Sequence, residues 1–106
     1  MNTDIRNHTP IANLADELDG SPDCWQSKVL SVKTDTKTIL FAFTPGQLLP
    51  VHTAPVEVLL VALEGSAGIT VEDKLYIFTT GQVMKIPAKV PHSVRALSLF
   101  KMLLVK

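Results

Sequence analysis

The chain has 106 residues, which suits one domain. Ten basic and ten acidic residues cancel, and no basic cluster is present to neutralise several phosphates on one face, so nucleic acid is a poor partner. Hydrophobic residues make up 46%, yet the longest apolar run, Val58–Leu63, is strand-sized and far short of the roughly 18 residues that a membrane helix needs.

Residues 1–24 read as an irregular arm, with Pro10 and Pro22 as punctuation. Within it "IANLADELDG" places Ile11, Leu14, Ala15 and Leu18 at helical spacing, and Gly20 can end the turn, so a weak helix is expected. Such a stripe suits the open end of a barrel or a partner chain. The first twenty residues carry Asp4, Arg6, Asp16, Glu17 and Asp19 and no apolar segment of the secretory kind. A cytoplasmic location is therefore expected. Cys24 is the single cysteine and cannot close an internal disulfide, which agrees with a reducing compartment. Beside Trp25 it reads as a partly buried small hydrophobe.

From residue 25 to 106 the pattern becomes short strands broken by turns. Strands are expected near Lys28–Lys33, Lys37–Phe43, Val56–Leu63, Ala67–Val71, Lys74–Phe78, Val83–Ile86, His92–Ala96 and Leu99–Val105. Their separators, among them "TPGQLLP", "EGS", "EDK", "TTGQ" and "PAKVP", are turn material. No helical pattern lies between strands to make crossovers. About eight closely spaced strands predict an all-β, antiparallel jelly-roll barrel.

Two strands are apolar on both faces. Val58, Leu60 and Ala62 oppose Leu59, Val61 and Leu63, while Phe100, Met102 and Leu104 oppose Leu99, Leu103 and Val105. A strand with one face in water should alternate. The arm can cover part of the excess, and a two-fold homodimer interface is expected to cover the rest.

Histidine spacing carries the chemistry. Gly46, five residues, His52, one residue, Ala54, three residues, Val58, six residues and Gly65 form one set. Gly81, five residues, Pro87, one residue, Lys89, two residues, His92, three residues and Ala96 form another. Together these resemble the two halves of the motif of a small single-domain, conserved-barrel cupin, over about Lys28 to the end. The family motif has three histidines and one glutamate as metal ligands. In this chain His52 and His92 stand in register, whereas the second histidine is Ala54 and the glutamate is Val58. The metal motif is thus degenerate.

The resemblance implies a cavity lined by His52, Ala54, Val58, Leu60 and His92 that takes a small molecule. It also implies an alternative, a metal-dependent enzyme of the dioxygenase, decarboxylase or isomerase type. There His52 and His92 would hold Fe, Mn, Ni, Cu or Zn, with Glu57 as third ligand or base. Glu57 sits one residue early and five from His52, so strict alternation turns it away unless Pro55 marks a bulge. His8 on the arm is another candidate third ligand. Three or four protein ligands are usual for a tight site, so no tightly bound metal is expected. Metal-free acid/base work by histidine ranks behind both, because no acidic partner is identifiable. Trp25, Gln47 and Tyr76 are candidates for the cavity mouth. No nucleophile elbow or phosphate-binding glycine loop is present, and the catalytic residues, if any, are unknown at this point.

Overall fold

The computed structural model describes residues 13–106. It is an antiparallel jelly roll of two facing sheets. The strands are β1 Gln26–Val32, β2 Lys37–Phe43, β3 Leu48–His52, β4 Val58–Glu64, β5 Ser66–Val71, β6 Lys74–Thr79, β7 Val83–Ile86, β8 His92–Ala96 and β9 Phe100–Val105. One sheet has the order β1-β2-β9-β4-β7, the other β3-β8-β5-β6.

Sequence reasoning missed β3, taking "TPGQLLP" for a connection. The strand runs through Pro50, which cannot donate to a ladder and is tolerated because β3 is an edge strand, paired to β8 alone. Strand β4 starts at Val58 instead of Val56, since Pro55 and Val56 belong to the bend that follows β3.

The core lies between the sheets and follows the alternation of each strand. Val58, Leu60 and Ala62 of β4 and Phe100, Met102 and Leu104 of β9 point inward and are buried. Opposite them lie Ala67, Ile69, Phe78, Val94 and Ala96 of the smaller sheet. Three phenylalanines tie the sheets together. Phe100 of β9 has Phe43 at 6.0 Å between ring centroids and Phe78 across the barrel at 6.2 Å. Pairs of this kind add about 0.5–1.5 kcal/mol beyond the area they bury.

The outer face of β4 and β9 is only half-covered. Leu59, Val61, Leu63, Leu103 and Val105 are half-buried. A central apolar row crosses four strands in register, Leu40, Leu103, Val61 and Val83. Lys28 and Lys85 flank this region. Lys101 on the same face is buried. Its ammonium donates to the Ala15 carbonyl at 2.5 Å and lies 3.6 Å from the Glu64 carboxylate, its cross-strand partner. The arm is therefore pinned to this face. Gln26 accepts from the Gly20 N–H at 2.9 Å and Gln47 donates to the Ser21 carbonyl at 2.6 Å, which fixes the rest of its path.

Among the described residues the arm forms a single 3-10 turn, Leu14–Asp16, that does not continue to Leu18, and Ile11 of the expected stripe lies outside the described residues. Asn13 caps it by accepting from the Ala15 N–H. A lone short stretch cannot offset the cost of helix nucleation in water, so one turn is what packing retains. Cys24 is exposed instead of partly buried, with its thiol against the Trp25 carbonyl. Trp25 is the residue that turns inward, 5.6 Å from the Phe41 ring. No helix among the described residues is long and apolar enough to cross a membrane.

One turn glycine is fixed by close approach as well as by conformation. At Gly65, with φ at +77°, a Cβ would lie 1.8 Å from the Leu99 carbonyl oxygen. The β4–β5 corner therefore admits glycine alone.

Candidate functional site

Strand β8 delivers His92, Val94 and Ala96 to the interior, and all three are buried. Strand β3 runs beside it with Leu49 opposite Val94 and His52 opposite His92. Three steps on β3 thus match two on β8, so Pro50 and Val51 form a bulge. Without it, an odd step from the core-packed Leu49 would turn His52 to the outside. The irregularity that sequence reasoning considered at Pro55 stands instead five residues earlier, and it acts on His52.

The two imidazoles are cross-strand neighbours, their ring centroids 4.2 Å apart and tilted by 58°. His92 is buried and His52 half-buried. Each Nδ1 lies against a backbone carbonyl two residues upstream, His52 on Pro50 at 2.8 Å and His92 on Val90 at 2.9 Å. A carbonyl oxygen only accepts, so each Nδ1 carries the hydrogen and donates it. The tautomer is thereby set, and each neutral ring keeps its lone pair at Nε2. No described group hydrogen-bonds either Nε2. Burial holds the His92 pKa below the ordinary histidine value. The bond to Val90 opposes this shift and the charge of a protonated His52 adds to it. Burial thus favours the neutral form of His92.

The remaining positions inferred from the resemblance are accounted for as follows. Ala54 packs against the core, and its carbonyl accepts from the Lys89 N–H at 2.7 Å, closing the β7–β8 loop over it. Val58 and Leu60 are buried in the core. Glu57 is exposed. His8 lies outside the described residues. Among the described residues no three His, Cys, Asp or Glu side chains come together as a metal site. The donor kind fits a transition metal at His52 and His92, but the donor number does not, because an alanine and a valine stand at the other two ligand positions. Gln47 serves structure, accepting from the Thr44 N–H and donating to Ser21, while Tyr76 is exposed under the Lys74 ammonium.

Sequence reasoning also missed a concave site. A groove of about 420 Å3 lies on the outer face of the smaller sheet, away from the histidines. Leu48, Gly68, Thr70, Leu75, Ile77, Ser93, Arg95 and Leu97 line it. The one available signal was "KLYIF", an edge strand with apolar residues on both faces, together with a glycine inside the neighbouring β5.

A family model described as a cupin domain matches residues 39–106. The fold is also similar to many solved structures. A conserved protein of unknown function from Streptococcus pyogenes is 30% identical with a TM-score of 0.86, over 94% of this chain and 88% of that one. A cupin 2 conserved barrel domain protein from Leptotrichia buccalis is 33% identical with a TM-score of 0.83, over 89% of this chain and 46% of that one. A cupin superfamily protein from Desulfitobacterium hafniense is 21% identical with a TM-score of 0.87, over 97% of this chain and 94% of that one. No curated protein matches the chain.

Proposed function

The chain belongs to the cupin family, and from that premise we propose that it is a small-molecule-binding barrel whose ligand is held at the His52–His92 pair. The observation that carries this reading is the pair of Nδ1 atoms tied to backbone carbonyls, which leaves an Nε2 lone pair on each of two neighbouring rings. Two neutral acceptors call for a donor. The ligand class is accordingly a compact molecule presenting hydroxyl or amine hydrogens, with an apolar part for the surrounding wall. The test is imidazole 15N NMR of the full chain titrated with a library of small polyols, amines and hydroxy acids. Binding should move the Nε2 resonances of both histidines and leave Nδ1 nearly unchanged. A library that moves neither ring overturns the reading.

A second reading, metal-dependent catalysis, draws support from the same Nδ1 bonds, because ligating histidines are held in that way. Two ligands are too few for a resident metal. Protein grown in metal-supplemented medium should carry less than about a tenth of a metal per chain, since a built site fills nearly completely. Near-stoichiometric metal that disappears in a His52→Ala, His92→Ala double variant would replace the first reading by the second.

The partner proposed for the outer face of the larger sheet is a second copy of the chain. Beside the fully buried Leu40, the half-buried Leu103 and Val61 and the exposed Val83 form an apolar row, and Lys101, the one buried charge on that face among the described residues, is already paired with Glu64. A two-fold contact on this row sets no unpaired like charges against each other at its centre. The exposed, unpaired Cys24 supports a reducing cytoplasm as the working compartment.

A further inference from the structure

The groove on the outer face of the smaller sheet shares no lining residue with the histidine pair. Its floor is a four-residue row in strict register, Leu48 of β3, Arg95 of β8, Gly68 of β5 and Ile77 of β6. The next row sets Ser93, Thr70 and Leu75 side by side. Arg95 is the one charged residue in the lining. It is exposed, and among the described residues no carboxylate pairs with it. Around it stand large apolar side chains left in water: Leu75 is 62% exposed, Ile77 57% and Leu97 52%. Isolated exposed apolar residues are ordinary, but several of them around one cation in a concavity are not.

Gly68 sharpens the point. Its backbone is ordinary for a strand, so conformation does not demand glycine there. A glycine inside a strand weakens it and often marks close approach of a ligand. At this position the missing side chain keeps the floor open between Arg95 and Ile77, and Leu75 leans over it so that a Cβ would meet its Cδ1 at 3.1 Å. The volume, about 420 Å3, falls in the range of small-ligand pockets.

Two kinds of occupant fit an apolar surface. A second copy meeting this face about a two-fold axis through its centre would set Arg95 against Arg95, which is unfavourable without an anion between them. An amphipathic anion meets no such conflict. We infer that this groove binds a small monocarboxylate with an apolar body. The carboxylate takes the planar fork of the Arg95 guanidinium beside the Ser93 and Thr70 hydroxyls, and the body lies across Gly68 onto Leu75 and Ile77.

The experiment is 1H-15N NMR of the full chain with octanoate as probe and 1-octanol as its uncharged control, including the Arg95 Nε–Hε resonance. Octanoate should shift Arg95, Gly68, Thr70 and Ile77 saturably and leave the His52 and His92 rings unmoved. Octanol should bind at least tenfold more weakly. Arg95→Gln should lose octanoate affinity at least tenfold with unchanged thermal unfolding, and Gly68→Val should block binding by filling the floor. If Gly68→Val does not fold, Arg95→Gln decides alone. Equal binding of octanol, full affinity in Arg95→Gln, or shifts confined to the histidines would overturn the inference. So would groove resonances that move on simple dilution without probe, because the occupant would then be a second copy.

Discussion

His92 is a base buried in its neutral form, and this has a thermodynamic consequence. In the unfolded chain it takes up a proton as pH falls through about 6.5, the ordinary histidine value. In the fold, burial keeps its pKa lower. Between those two values the unfolded state binds the extra proton, so stability is complete above about pH 6.5 and declines as pH falls, levelling out below the native pKa. The midpoint of urea unfolding should therefore drop between pH 7 and pH 5. In His92→Gln the part of that drop due to this residue should disappear. Identical pH profiles for the two proteins would refute the account. The same residue shows what sequence makes legible. Its place in the motif, the proline before it and its inward direction on β8 follow from spacing and alternation. Its partner's direction does not, since it depends on a bulge at Pro50 and Val51, in a segment that reads locally as a connection.

At the scale of elements, the β7–β8 loop that delivers His92 holds a backbone cost. Lys89 has a φ of +65°, in the left-handed region, at the position where the family motif has glycine. Its N–H is needed there, bonded to the Ala54 carbonyl that ties the loop to the barrel. A non-glycine residue in this conformation costs about 1–2 kcal/mol, offset in part by the lower entropy of its unfolded state. Lys89→Gly should thus stabilise the protein by roughly 0.5–1 kcal/mol and raise Tm by a few degrees. A fall in Tm would show that the lysine side chain makes a contact of greater worth. Substitution of a motif glycine was visible in the sequence, whereas retention of the glycine's conformation was not. Eight of the nine strands among the described residues lie within two residues of the bounds expected from spacing. Strand β3 escaped because proline, glycine and glutamine suggest a loop to any local reading, and only its place at a sheet edge makes Pro50 acceptable.

For the whole molecule, charge distinguishes the two outer faces. The larger sheet carries the apolar row proposed to meet a second copy, and the smaller carries the groove in which Arg95 has no carboxylate partner among the described residues. Light scattering at tens of micromolar should give twice the 11.6 kDa chain mass. Val61→Glu, at the middle of the apolar row, should give a folded monomer. A wild-type monomer would remove the assigned interface and leave the groove reading intact. The bulge at Pro50 and Val51 adds a consequence of another kind. It makes the histidine pair depend on parity: one residue more or fewer between Leu49 and His52 flips the ring out of the barrel while every amino acid of the motif is still present. Strand length at one sheet edge, and not residue identity alone, thus decides whether the two rings of this chain face each other, and an insertion of a single residue there is expected to separate them.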